Sequence, residues 1–278
     1  MHPIAFHLGP LTIHWYGIMI AVAFLVGLWT ASLRARREHI PGERIADIVL
    51  WLMVGAIFGA RVVYVTTYWK DEFAGQPWWE IFMIQNGGLV YYGGLIGAII
   101  AGFIYIRWKK LPLWKTADVL APSIALGSFF GRIGCFLNGC CFGRPTTLPW
   151  AVRFPMHSYA WDTQFQQGLI GPNARMLPVH PTELYDCVNN FLLFLLLAWL
   201  FRRKKFDGQV FATYLIGCAI TRTFMEYFRG DYPRDHIHYV LGYGLTPGML
   251  VSIPIFIVGL ALGAILSHRK HAVVKQDA

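Results

Sequence analysis

Apolar runs of about 20 residues recur seven times along this chain, near 12–33, 46–68, 88–107, 117–138, 182–201, 209–228 and 246–267. A helix needs about that length to cross a bilayer core. Only 14% of the 278 residues are charged and 56% are hydrophobic, where a water-soluble domain would carry roughly 25% charged residues. The pattern predicts an all-α integral membrane protein of seven transmembrane helices. Short connections leave a single polytopic membrane domain over 1–278, with one outer-face loop or cap at about 139–181. A connection that long is functional or disordered as a rule, and its Trp150, Phe154, Tyr159, Trp161 and Phe165 favour a small folded cap.

The net charge of +9 suggests nucleic acid until its distribution is read. Fifteen of the 24 Lys and Arg fall in alternate loops, in the groups Arg34–Arg44, Arg107–Lys115, Arg202–Lys205 and Arg269–Lys275. Six lie in the other connections: Lys70, Arg144, Arg153, Arg175, Arg229 and Arg234. The positive-inside rule then puts the N-terminus outside and the C-terminus in the cytoplasm, so the basic excess is a topology signal and no nucleic-acid partner is expected. The first apolar segment is not expected to be a cleaved signal peptide, because its positive cluster follows the run instead of preceding it. The expected location is a bacterial inner membrane.

Three arginines remain, and each lies inside an apolar run: Arg61, Arg132 and Arg222. An arginine at mid-bilayer costs at least ~2.5–3.5 kcal/mol. All three sit on even-numbered spans, six or seven residues before the outer end, hence roughly 10 Å below the outer surface. One such residue is explained by snorkelling or by a buried acid. Glu226, four residues after Arg222, offers a helical ion pair. Three at a shared depth point to a fixed anion, and a planar guanidinium fork suits phosphate. A phospholipid headgroup lives at that depth.

Other polar groups are expected at the same level: His14 and Tyr16 at the start of the first span, Asn86, Tyr91 and Tyr92 at the third, and His180, Glu183, Tyr185 and Asp186 before the fifth. Asp47 and Asp118, at the opposite ends, read as acids in first helical turns. Gly87, Gly88, Gly93, Gly94, Gly97 and Gly102 make the third span small-surfaced; helix contact is the expected role of Gly97 and Gly102, and the glycines flanking Tyr91 and Tyr92 could leave room for a lipid or peptide backbone. Cys135, Cys140 and Cys141 form a C-x4-CC set without a C-x-x-C redox pair. The spacing matches no strong zinc signature, so buried small hydrophobes or an outer-face disulfide are expected, with no metal and no cofactor.

The motifs HWYG (14–17), GARVVY (59–64), GG…GGLIG (87–97), GRIGCFLNGCCFG (131–143), HPTELYD (180–186) and R-x-x-x-E-Y-F-R (222–229) occur in this order. With seven spans, they make the chain resemble the prolipoprotein diacylglyceryl transferases along nearly its whole length. The resemblance implies transfer of diacylglycerol from phosphatidylglycerol to the lipobox cysteine of a preprolipoprotein, giving a thioether and glycerol phosphate. It implies that Arg132 and Arg222 bind the headgroup and leaving group, and that Tyr16, Asn138, Gly143 and Glu226 shape that site. Arg61, Gly93, Gly94 and His180 join the expected substrate-binding set.

Tyr92 stands where many members have histidine, and Cys135 and Cys140 replace the asparagine and glutamate often found in the signature. Unperturbed tyrosine, with a pKa near ~10, is a poor base unless arginines lower it, so Tyr92, His14 and the lipid phosphate all stay open as the base. Two other classes compete. A transporter for an anionic solute would show inverted repeats and broken helices, and no repeat is visible. A membrane thiol oxidoreductase would need a spaced cysteine pair.

Overall fold

The structure is a computed structural model and describes residues 3–9, 11–84, 87–231, 238–240 and 243–276. Asn86 and Arg234 lie outside the described residues. Eight helices are present among them: α1 (Trp15–Arg37), α2 (Gly42–Thr67), α3 (Tyr91–Trp108), α4 (Leu113–Asn138), α5 (Tyr159–Gln166), α6 (Thr182–Phe201), α7 (Gln209–Glu226) and α8 (Pro247–Gln276). Two short hairpins accompany them, β1 (Ile4–Leu8) with β2 (Leu11–His14), and β3 (His238–Val240) with β4 (Tyr243–Leu245).

Six helices, all but α5 and α7, are long and apolar enough to cross a membrane. Leu25, Trp29, Val54, Phe58, Ile99, Leu192 and Ile257 are exposed on them, a surface that lipid solvates and water does not. The chain is a multi-pass membrane protein. α7 has 18 residues, but Thr213, Thr221, Arg222, Thr223 and Glu226 dilute its apolar character. The first span also starts later than the apolar pattern suggests. Leu11–His14 pairs with Ile4–Leu8 as a hairpin, its turn entered through Gly9 at a φ of 59°, which glycine adopts without strain.

The chain divides into two compact units, residues 31–116 and residues 1–30 with 117–278. In the 31–116 unit, glycines set how closely α2 and α3 approach. A Cβ on Gly93 would meet the Gly59 carbonyl oxygen at 2.5 Å and Val63 Cβ at 2.7 Å, and one on Gly97 would run into the Gly55 carbonyl. Small residues allow such close backbone contact. At the far end of this pair the Tyr105 hydroxyl donates to Asp47 at 2.7 Å.

In the larger unit, Ser123 on α4 donates to Gly27 O at 2.8 Å on α1. Contrary to the expectation from sequence, neither Asp47 nor Asp118 lies in a first helical turn, which in α2 holds Glu43 and in α4 holds no acid; Asp118 serves another helix instead. Its carboxylate accepts from the backbone N–H of Gly208 at 2.8 Å and Phe211 at 2.9 Å, and pairs with Lys204 at 3.1 Å. It thereby satisfies orphan donors at the start of α7.

The connection after α4 folds on a small core of its own. Phe142, Phe154, Ala160, Trp161, Met176 and Val179 are buried together. The buried Gln164 side chain accepts from Leu177 N at 2.9 Å and donates to Leu177 O at 3.4 Å, replacing the ladder a strand would have supplied. Residues 142–144 thread between two other segments: Gly143 N donates to His180 O at 3.0 Å, Arg144 N to Phe228 O at 2.8 Å, and Gly230 N to Phe142 O at 3.2 Å.

Candidate active site

The C-terminal ends of α4 and α7 and the N-terminal end of α6 bring three arginines and three acids together. Arg132, one and a half turns before the end of α4, places its Nε 3.1 Å from Asp186 Oδ2 on α6. Arg222 Nη2 meets Glu226 Oε1 at 2.7 Å along α7, the pair that the four-residue spacing predicts. Arg229 grips Asp231 in bidentate fashion, Nη2 to Oδ2 at 2.6 Å and Nε to Oδ1 at 2.9 Å, and approaches Glu226 at 3.9 Å. Arg229 closes the R-x-x-x-E-Y-F-R motif and Asp186 closes HPTELYD, but the motifs alone do not reveal these ion pairs. No spacing rule links Asp186 to Arg132; the contact is tertiary.

These pairs differ in exposure. Glu226 is closed off and Asp186 nearly so, whereas the Arg132 and Arg222 side chains keep 22% and 27% exposure. Among the described residues, Arg132 has its ion pair through Nε, and its Nη1 and Nη2 groups carry no hydrogen-bond partner. A guanidinium held at one edge by a carboxylate can present its other donors to an oxyanion in a fixed orientation. Gly248, at the start of α8, makes room: a Cβ there would collide with the Glu226 carboxylate.

An open apolar groove of about 430 Å³ lies between α7 and α8, lined by Ile220, Phe224, Tyr227, Ile253, Phe256 and Ile257. One of its walls comes from α7, the helix that carries Arg222.

The end of α4 also gathers thiols. The Sγ atoms of Cys135, Cys140 and Cys141 all lie within 4.8 Å of one another, and no disulfide joins them. Asn138 is the last residue of α4, and just beyond it the Cys140 thiol donates to Cys135 O at 3.7 Å. The Cys141 thiol is pushed below the usual thiol range, first by hydrogen bonds from the thiols of Cys135 and Cys140, then by Arg229 and Arg132. Tyr16 is half-exposed within Coulombic range of all three cysteines and of Arg132, and its ring packs where a Cβ on Gly134 would stand, at 3.1 Å.

Two of the expected residues in this unit have structural surroundings. Gly143 is enclosed, with a Cβ there meeting His180 O at 2.6 Å and Phe228 O at 2.8 Å. His180 stacks edge-on with Phe228 at 5.5 Å and shares a 3.3 Å hydrogen bond with the Tyr185 hydroxyl. His14 ends β2, exposed, opposite Ile4.

The 31–116 unit holds Arg61, Tyr92, Gly93 and Gly94. Arg61 is committed to backbone: Nε donates to Ile81 O at 2.7 Å, Nη2 to Glu80 O at 2.7 Å, and Nη1 to Gly87 O at 2.9 Å and Gly88 O at 3.2 Å. Its guanidinium also lies over the Phe73 ring at 5.4 Å. Such a residue ties a loop to a helix. Gly93 and Gly94 face α2, in the close contact described above. Tyr92 opens α3, 42% exposed, with Tyr91 edge-on at 5.6 Å.

Fold and site together define a multi-pass membrane protein with oriented arginine forks, a thiol cluster and an apolar groove in one unit. Residues 3–265 match the profile described as prolipoprotein diacylglyceryl transferase. A Finegoldia magna phosphatidylglycerol–prolipoprotein diacylglyceryl transferase is 36% identical over 100% of this chain and 99% of its own. Enzymes of the same name from Agrobacterium fabrum (36% identical, 93% of this chain and 89% of the relative) and Ralstonia pickettii (32%, 94% and 91%) are similar. The chain belongs to the prolipoprotein diacylglyceryl transferase family.

Proposed function

We propose that this protein transfers the diacylglyceryl group of phosphatidylglycerol to the lipobox cysteine of a preprolipoprotein, the first step of bacterial lipoprotein maturation. The observation that carries the reading is Arg132, fixed at its Nε edge by Asp186 at 3.1 Å with its remaining donors uncommitted. The substrate thiol gives up its proton, the thiolate attacks the glycerol carbon, and the carbon–oxygen bond to phosphate breaks with its electron pair leaving on oxygen. Arg132 and Arg222 hold the phosphate before attack and stabilise the charge that grows on the departing glycerol phosphate. Fixed donors in a water-poor site act most strongly at such a point.

The α7–α8 groove takes an acyl chain, and Tyr16 and Asn138 border the headgroup. Tyr92 or His14 accepts the thiol proton. Arg61, Gly93 and Gly94 support the fold around Tyr92, while Gly143 and His180 hold the outer segment in place. The protein resides in the bacterial inner membrane with its N-terminus outside and its C-terminus in the cytoplasm. There α7 also crosses the bilayer, and residues 139–181 cap a single membrane domain.

The test uses purified protein with phosphatidylglycerol labelled in its glycerol phosphate and a synthetic lipobox peptide. Transfer gives a peptide heavier by one diacylglyceryl group and an equal amount of labelled glycerol phosphate. Release of label without peptide modification would instead identify a lipase.

A further inference from the structure

We propose that Cys135, Cys140 and Cys141 form a three-thiolate site for Zn²⁺, with the fourth coordination position left for a substrate thiolate. The metal site stands on geometry, against the expectation from spacing alone; its role in capturing substrate rests on the transferase reading above.

The spacing C-x4-CC conceals the cluster because it straddles a helix end. Cys135 belongs to the last turn of α4, which stops at Asn138. Gly139 then takes a φ of 76° and Cys141 a φ of 66°, so the chain reverses, and Cys140 N donates back to Cys135 O at 3.1 Å. The reversal brings all three sulfurs within 4.8 Å of one another. Tetrahedral zinc with Zn–S bonds of about 2.3 Å needs sulfur–sulfur separations of roughly 3.8 Å, which small side-chain rotations supply.

The surroundings balance the charge. Three thiolates and one Zn²⁺ leave a single negative charge, and Arg132 and Arg229 both lie within Coulombic range of Cys141. All three cysteines are only partly buried, unlike a closed structural site, so an incoming ligand has an approach. Three protein ligands and one open position are the pattern of zinc sites that do chemistry.

The reaction gives such a site a use. A free thiol, with a pKa near ~8.5, is mostly protonated at neutral pH, whereas coordination holds a thiol as its thiolate. The peptide thiol would lose its proton to water or to a side-chain base on binding zinc. The sulfur would then form its bond to the glycerol carbon as the carbon–oxygen bond breaks toward phosphate. No oxidant or reductant is involved.

The experiment titrates Co²⁺, as a coloured substitute for Zn²⁺, into reduced, metal-stripped full-length protein in detergent. Binding of about one Co²⁺ per chain with thiolate-to-cobalt charge-transfer absorption, displaced by Zn²⁺, is expected. Cys140→Ser and Cys141→Ser should each weaken binding by at least about tenfold, the scale lost when even an outer partner of a ligand is removed. Adding a lipobox peptide should strengthen the charge-transfer band, and its Cys→Ser version should not. Absence of thiolate bands, or a disulfide among the three cysteines that persists in the reduced protein, would overturn the metal site. Cobalt binding without a peptide-dependent change would overturn the substrate position. Transfer from phosphatidylglycerol assayed on the same metal-stripped preparation separates the two readings: full activity without metal refutes this role and leaves the transferase intact.

Discussion

Asp186 on α6 holds Arg132 on α4 from the side, carboxylate to Nε at 3.1 Å, with Asp186 10% and Arg132 22% exposed. The carboxylate both offsets the cost of the guanidinium and fixes the plane in which its other donors lie. Removing one partner of a buried pair costs up to about 3–5 kcal/mol because a charge is left uncompensated. Asp186→Asn should therefore lower thermal stability in detergent and depress transfer at least tenfold in well-folded protein. Asp186→Glu should recover part of both. Unchanged melting and turnover in the asparagine variant would remove Asp186 from the site.

Arg61 gives a contrasting prediction. Its guanidinium makes four hydrogen bonds to carbonyls between Glu80 and Gly88, each bond to a charged group contributing about 1.5–3 kcal/mol. Arg61→Ala should destabilise the protein by at least about 2 kcal/mol, while the surviving folded fraction retains more activity than an Arg132 variant. Thermal melting and turnover per folded molecule check this together. Loss of turnover with normal melting would make Arg61 a substrate contact after all.

The α2–α3 contact depends on missing side chains. Gly97→Val would drive a branched side chain into the Gly55 backbone, and forcing atoms into a packed interface costs typically about 1–3 kcal/mol. Lower expression and a lower melting temperature are expected. Gly75→Ala makes the control for space, since a Cβ there meets nothing within 4 Å, although its φ of 91° adds some backbone strain.

Tyr92 carries the prediction about the base. If its hydroxyl accepts the thiol proton, Tyr92→Phe should lose at least ~10²-fold in rate, the lower range of general base contributions, and Tyr92→His should recover activity. Near-normal turnover in the phenylalanine variant would pass the role to His14, to the lipid phosphate or to a metal-held thiolate.

The long helices were legible because a bilayer imposes one length on every crossing segment. The apolar run near 182–201 coincides with α6, and the one near 209–228 nearly with α7. Arg222 and Glu226 were legible too, since a helix makes i and i+4 neighbours. The β1–β2 hairpin was hidden, because an apolar strand adjoining an apolar helix has no boundary in hydropathy. Asp186 beside Arg132, Asp118 at the start of α7 and Arg229 beside Glu226 and Asp231 depend on how helices and loops meet. The closeness of the Cys135, Cys140 and Cys141 sulfurs was hidden for a related reason: the backbone reverses at Gly139 and Cys141, which spacing alone does not reveal.

The central claim is that Arg132 holds the lipid phosphate through a planar fork, and the most direct measurement compares Arg132→Ala and Arg132→Lys with the parent at matched expression. Binding of labelled phosphatidylglycerol and transfer to a lipobox peptide are followed in parallel. Lysine keeps the charge but loses the bidentate geometry, so the account predicts strongly impaired transfer for lysine and none for alanine, in protein that still inserts and folds, with lipid binding weakened in both. Lipid binding and diacylglyceryl transfer at the parent's level in Arg132→Ala would contradict it and leave Arg132 as a structural partner of Asp186 alone.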